Sequence, residues 1–312
     1  MLPRLSKVFS RSVKKHNSDY DLVCDWVEAS LLFSRSFSRS DLLDILIEEQ
    51  FYDDQDFCSE FLEDVWRRVR RRRKRQGTDY PFAVSQSRIR LTADSWENTP
   101  AHAFCVFLSL APFFPGYHDE FKAAGYGIQG SLFERMTEAS VRARFPDWTV
   151  MRPGWGDDHH AKIVEVVRAI ADAIQESARP EKTILEYAGA AANEAGVDLV
   201  WHLQLDDRHG FTTYLAQCAS GRRSEGKLTT PNLDVWARMI DFNHKPIRSF
   251  ALPKELDEGE LRTTTHRVGG LVLDRSRLLS TAMLNAEWLS DELKAEIRDW
   301  MRPRVEWLRR QE

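Results

Sequence analysis

Residues Gly196–Ser220 constrain the fold more than any other stretch, because they read as two strands meeting at a turn. Leu199, Trp201, Leu203 and Leu205 alternate with Asp198, Val200, His202 and Gln204, the period-2 pattern of a strand with one buried face. Asp206-Asp207-Arg208-His209-Gly210 supplies turn chemistry. Phe211–Ala219, rich in aromatic and β-branched residues, reads as the returning strand. Pairing Leu205 with Gly210 across a four-residue loop and counting back puts Asp198 opposite Gln217. Opposed residues of an antiparallel pair share a face, with Cβ atoms roughly 5 Å apart. A carboxylate and an amide oxygen then converge on one surface, a donor pair suited to a hard cation.

A chain of 312 residues accommodates one large domain or two smaller ones, and two is the better expectation. Its net charge of −4 excludes a uniformly basic coat, so a polyanionic partner needs a local patch. Cys24, Cys58, Cys105 and Cys218 lack CxxC spacing, which argues against a zinc knuckle or a secreted disulfide scaffold and for a reducing cytoplasm. Met1–Lys15 is basic without a long apolar core, a poor signal peptide. Ala101–Phe114 is too short to span a membrane and reads as a buried helix. No membrane partner is expected.

Residues 1–98 read as a helical module that ends in an extended segment. Leu22, Val23, Trp26, Val27 and Leu31 form one apolar stripe, and Ser40 is the expected N-cap of a second helix. A third helix carries Phe57, Phe61, Leu62, Val65, Trp66 and Val69 and stops at Gly77, before a ribbon over Tyr80–Leu91. Three helices followed by a ribbon is the element order of winged-helix modules, many of which bind nucleic acid. The third helix ends in Arg67, Arg68, Arg70, Arg71, Arg72, Arg73, Lys74 and Arg75, eight cations in nine positions. Such a run is either a solvated helix C-terminus complementing the macrodipole or a phosphate-binding patch of no sequence preference. The second reading is preferred here, and an acidic protein would also satisfy the patch.

Residues 99–312 read as an α/β domain with a helical C-terminal extension. Gly125-Tyr126-Gly127-Ile128-Gln129-Gly130 has the GxGxxG form, but no strand precedes it, so the dinucleotide reading fails its context. These glycines are expected to lead into a helix over Ser131–Arg144, followed by a strand at Trp148–Met151 and an amphipathic helix through Ile163–Ile174. Further strands are expected at Ile247–Leu252 and Val268–Leu273, and a closing helix at Asn285–Arg310.

A helix with an acid, a strand, a helix, then a strand pair opposing Asp198 and Gln217: in this order the chain resembles the PD-(D/E)xK superfamily of restriction-endonuclease-like nucleases. The residues that carry the resemblance are Glu134 in Phe133-Glu134, Asp198 in Gly196-Val197-Asp198, and Gln217 in Ala216-Gln217-Cys218-Ala219. It covers roughly Gly130–Leu252 and is nearest the divergent Gln-bearing members, several of which occur in bacterial restriction and phage defence. The resemblance implies a mixed sheet flanked by helices and hydrolysis of DNA phosphodiesters. It further implies Mg²⁺ or Mn²⁺ held by Glu134, Asp198 and Gln217. The chemistry agrees: carboxylate and carbonyl oxygens hold such an ion while waters stay bound, and a lysine beside the attacking water offsets developing charge. The chain departs from the family pattern at Ala219, where the lysine belongs; Lys227 is the expected substitute and Lys182 a weaker one.

Each residue also has an ordinary explanation. Asp198 follows a glycine at a strand start, Gln217 satisfies a backbone group, and Glu134 is a first-turn acid favoured by the helix dipole. Asp157-Asp158-His159-His160 and the group Asp206, Asp207 and His209 are weaker metal candidates, better read as a helix cap and a charged hairpin tip. Glu186 and Glu194 read as exposed helix acids. A catalytically inactive module that binds nucleic acid or a partner is the competing expectation, and a purely protein-binding defence scaffold a third. A partner subunit or a second copy of the chain stays open.

Overall fold

The computed structural model describes residues 20–49, 55–114, 116–121, 126–153, 163–190, 196–221, 224–280 and 287–310. The chain is mixed α/β and forms two compact units: Met1–Leu132 with Pro253–Asp257 and Arg275–Glu312, and Phe133–Leu252 with Glu258–Asp274. The two units do not divide at residue 98, and residues from the C-terminal part of the sequence belong to the first unit.

The first unit begins with α1 (Tyr20–Ser34), β1 (Ser36–Ser38), α2 (Arg39–Glu48) and α3 (Gln55–Gln76), then β2 (Phe82–Val84) and β3 (Arg88–Leu91). Helix α2 starts two residues earlier than expected. Ser38, not Ser40, is its N-cap: the Ser38 hydroxyl accepts from Asp41 N at 3.0 Å, and Asp41 Oδ2 accepts from Ser38 N at 2.7 Å. This reciprocal box satisfies two of the helix's orphan donors. Helix α3 ends where expected, at Gly77, whose φ of +65° a residue without a Cβ adopts at little cost. Strand β1 was not expected, since three residues are too few for a periodicity. It pairs with β3, and β3 with β2, all antiparallel, in the order β1-β3-β2. Phe37, Ile89, Phe82 and Leu91 point into the unit and are buried. The apolar run becomes α4 (Pro100–Leu110), buried at nine of its positions as expected.

Helix α5 (Tyr126–Arg144), whose residues from Phe133 onward belong to the second unit, starts five residues before the expected Ser131 and takes in two of the glycines that were expected to precede it. There follow β4 (Thr149–Met151), α6 (Ile163–Ala173), α7 (Glu181–Ala190), β5 (Leu199–His202), β6 (Thr213–Cys218), α8 (Leu233–Met239), β7 (Ile247–Ala251), α9 (Glu258–Val268) and β8 (Gly270–Leu273). Five strands make one mixed sheet in the order β8-β7-β6-β5-β4; β7 runs parallel to β6 and to β8, whereas β5 is antiparallel to β4 and β6. All four residues of β5 are buried, so both faces of this strand are covered, as in α/β sheets generally. Val200 and Leu215 pack with Val166, Val167, Ile170, Trp236 and Met239 of α6 and α8. Leu205, expected inside, is 77% exposed because the strand has already ended at His202.

The chain then returns to the first unit as α10 (Arg275–Leu279) and α11 (Asp291–Arg309). Arg275 closes a buried charge network. Its guanidinium donates to Asp25 Oδ1 and Oδ2 at 2.8 Å each and to Glu28 Oε2 at 3.1 Å. Arg72 donates to Asp25 Oδ1 at 2.6 Å, Glu28 Oε1 at 2.9 Å and Asp21 Oδ1 at 3.0 Å. Tyr80 adds its hydroxyl to Glu28 at 2.7 Å. Burial alone would raise the Asp25 carboxyl, and the guanidiniums of Arg275 and Arg72 more than reverse that, holding it below the ordinary range. Glu28 is held down by Arg72, His102 and Arg275 in the same way.

This network corrects the reading of the arginine run. Arg72 is 1% exposed and its guanidinium is consumed inside the unit, so it is no phosphate ligand. Arg68 is half-buried between Asp21 and Asp257, and Arg75 pairs with Glu255 at 3.2 Å. Arg67 pairs with Asp64 at 2.6 Å and Arg70 with Glu63 at 3.1 Å, while Arg73 donates to the Val84 carbonyl at 3.3 Å. Arg71 and Lys74 stand exposed. No described helix is long and apolar enough to cross a membrane.

Removing one partner of a buried, hydrogen-bonded charge set leaves an uncompensated ion, which costs about 3–5 kcal/mol. Arg72→Met and Arg275→Met are each expected to lower the unfolding free energy by that much in urea titrations. Arg71→Met, in the same run but exposed, is expected to stay within about 0.5 kcal/mol of the parent.

Candidate metal centre

The site is built on the pairing of β5 with β6. Leu199 opposes Ala216 and His202 opposes Thr213, the register counted from the sequence. One step further, Asp198 N donates to Ala216 O at 2.8 Å and the side chains of Asp198 and Gln217 meet. Gln217 Nε2 donates to the Asp198 carboxylate, and Cys218 N donates to the same Oδ2 at 2.6 Å. Gln217 is 4% exposed, with Oε1 turned toward Gly196. A Cβ built on Gly196 would lie 3.1 Å from that oxygen and 3.5 Å from Thr230 Cγ2. Glycine at 196 therefore keeps the space the amide occupies.

Glu134 enters from α5. Because that helix starts at Tyr126, Glu134 lies in its third turn, beyond reach of the N-terminal dipole that would explain a first-turn acid. Its charge is felt at Asp198. Burial first, and Glu134 second, push the Asp198 carboxyl up to about 7, against the opposing pull of the Cys218 N–H and Lys227. Glu134 is itself raised by burial, with Arg152 and Lys227 opposing. Glu134 thus bears on a half-buried Asp198, and among the described residues the cations that oppose the two shifts, Lys227 and Arg152, are exposed.

Lys227, at the end of the 3₁₀ turn Ser224–Lys227, is exposed, and it is the lysine whose charge bears on both carboxylates. Ala219, where the family pattern has lysine, is a buried methyl. Lys182 is an exposed residue in the first turn of α7. Two neighbours were missed from sequence. Arg152, exposed directly after β4, acts on Glu134; a lone cation after a three-residue strand gave no signal. Cys218 entered the sequence reading only as a cysteine without CxxC spacing and as a neighbour of Gln217. Burial, then the charges of Asp198 and Glu134, push its thiol well above the ordinary value against a hydrogen bond to Thr137, so it is inert as a nucleophile.

The donor set fits Mg²⁺ or Mn²⁺. Two carboxylates and one amide oxygen are hard ligands, and the raised Asp198 carboxyl is what uncompensated anions produce at such a place. Gln217 presents its nitrogen to Asp198; a half-turn of the terminal amide exchanges Nε2 for Oε1 with almost no change of shape. The other candidates do not join them. Asp206 is engaged at the hairpin tip, its Oδ1 accepting from Arg208 N at 2.9 Å, and Asp207 and His209 are exposed beside it. Glu186 is exposed on α7. Asp157, Asp158, His159, His160 and Glu194 lie outside the described residues.

No protein-family model matches the chain, and no curated protein or solved structure is significantly similar to it. Function has to be argued from these side chains alone.

A carboxyl near 7 in the folded state and about 3.9 unfolded binds extra proton in the folded form between those values. Metal-free stability should therefore fall as pH rises from about 4 to 7. Asn at 198 removes the ionisation, so Asp198→Asn should gain on the parent across that range, by roughly 1–3 kcal/mol at pH 8 after allowing for solvent screening. Mn²⁺ should reverse the parent's loss and leave the variant unmoved. Urea midpoints from pH 5 to 8, with chelator and then with Mn²⁺, test this; parallel curves would show that Asp198 carries no uncompensated charge.

Proposed function

We propose that the chain is a divalent-metal-dependent nuclease that hydrolyses DNA phosphodiester bonds, with Glu134, Asp198, Gln217 and Lys227 as its site. The observation that carries this reading is the meeting of Asp198 with Gln217 beside a second carboxylate that raises the first. In this reading the second unit is a restriction-endonuclease-like domain. Its five-stranded mixed sheet, with α5 ahead of it and α8 between the central strands, supports that assignment. The first unit is read as a winged-helix-like module. Its order helix, strand, helix, helix, strand, strand, with the first strand beside the last, supports this.

The roles follow from the donor chemistry. Glu134 and Asp198 would supply carboxylate oxygens and Gln217 its amide oxygen to hold Mg²⁺ or Mn²⁺. The bound ion would polarise the scissile phosphate and lower the pKa of its water. Lys227, a mobile four-carbon stem carrying one positive charge, offsets negative charge that develops on the phosphate oxygens. Its exposure leaves the ammonium able to follow the substrate, a task that a lysine at 219 would perform from a fixed strand position. The buried methyl of Ala219 favours the competing reading, an inactive relative that keeps the cation but not the chemistry.

Nicking of supercoiled plasmid separates the two. With Mg²⁺ or Mn²⁺ the parent is expected to nick, and chelator to stop it. Asp198→Ala should lower the rate at least about 10³-fold and Lys227→Ala about 10²-fold, the usual loss when one charge-stabilising group is removed. Cation-dependent stabilisation without nicking would establish the inactive alternative.

A further inference from the structure

The arginine run spends most of its charge within its own unit, which raises the question of where that unit keeps cations for a partner. The small sheet answers it. Alternate residues of β3 point outward, Arg88 and Arg90 exposed and Ile89 and Leu91 buried. Register places Ser38 beside Arg88, and Ser36 and Ala83 on either side of Arg90. Cross-strand partners share a face, so the solvent side carries two guanidiniums, two hydroxyls and one methyl. Among the described residues neither guanidinium has a carboxylate partner. Residues two apart on a strand are about 6.8 Å apart, a spacing that lets each guanidinium reach a phosphate of its own.

At one end of this face a cavity of about 470 Å³ opens between Ser38, Arg39, Ser40, Ser59, Ser87 and Arg88. Glu63 holds the Arg39 guanidinium at 2.6 Å, which leaves Arg88 as the cation the cavity offers. Its walls otherwise present serine hydroxyls and the apolar side chains of Leu43 and Leu62.

We propose that the outer face of β1–β3, centred on Arg88 and Arg90 with Ser36 and Ser38, binds the phosphodiester backbone of nucleic acid. The composition selects this occupant. Arginine and serine are the side chains that contact phosphate oxygens, whereas a protein interface needs an apolar or aromatic centre and a lipid surface needs apolar insertion. The strand face has neither, and the apolar lining of the cavity at its end is confined to Leu43 and Leu62. The proposal rests on the reading of the chain as a DNA-binding protein but not on its catalysis, and it moves the contact from the arginine run to the sheet.

Fluorescence anisotropy with the full chain in EDTA tests it, using a labelled 30-base-pair duplex and the same sequence as single-stranded DNA and as RNA. The Arg88→Glu, Arg90→Glu double variant is expected to bind at least 100-fold more weakly than the parent. Arg88→Gln, Arg90→Gln should flatten the slope of log affinity against log salt by about 2, one phosphate contact per arginine. Arg88→Lys, Arg90→Lys should retain affinity to within about threefold, and every variant should keep the parent's melting temperature. Which probe binds tightest assigns the strand type. Gln variants that bind like the parent would overturn the sheet face while sparing the DNA partner. A parent that binds none of the probes, or binds an acidic polypeptide in their place, would overturn both. Binding that depends on Arg88 and Arg90 without any nicking would keep this proposal and remove the nuclease.

Discussion

The pairing of β5 with β6 fixes where the chemistry of the second unit can lie. An antiparallel register admits no half-steps: a slip of one residue would turn every side chain of a strand to the other face. Burial of all four residues of β5 and five of the six of β6 locks the register, and Asp198 and Gln217 follow as its next step. The meeting of carboxylate and amide is thus a consequence of where Leu199, Trp201, Leu215 and Ala216 have to be. Hydrophobic burial sets the polar geometry.

That register was legible in the sequence because a period of two is a local signal and the turn between the strands is rich in residues that demand it. Leu205 shows the limit of the same signal, since alternation continues past the point where pairing stops. Glu134 was legible as a helical acid, yet its surroundings were not; the earlier start of α5 is what moves it away from the dipole. Arg152 and Cys218 reach the site through β4 and β6 packing against α5 and β5, and tertiary neighbours of that kind leave no mark on one sequence.

The burial of Arg72 was not legible for a related reason. Eight cations in nine positions look alike in a string of letters, and their fates are decided by other segments. Asp21, Asp25 and Glu28 are spaced four and three apart, so they line one face of α1, and that acidic stripe was a readable sign of a basic helix packed against it. Arg275 was not readable, because it lies 203 positions after Arg72 and comes back only when the chain closes the unit. The same closure explains why no boundary falls at residue 98. A module whose buried carboxylates need a guanidinium from the far end of the sequence is not complete until that end is in place.

Asp25 and Asp198 obey one electrostatic law with opposite outcomes. At Asp25 burial would raise the carboxyl, and two guanidiniums fixed within 3 Å reverse the effect. At Asp198 burial raises it too, the carboxylate of Glu134 adds to the rise, and the cation that opposes it, Lys227, is exposed and screened, as is Arg152 beside Glu134. Folded chains seldom leave such a pair uncompensated, because the cost of burying an unpaired anion falls on overall stability. The chain shows at Asp25 that it can supply permanent counter-charge where a carboxylate is structural. Among the described residues the cations that act on Asp198 and Glu134 are exposed ones, and in the proposed function that pair takes its compensating charge from a bound cation.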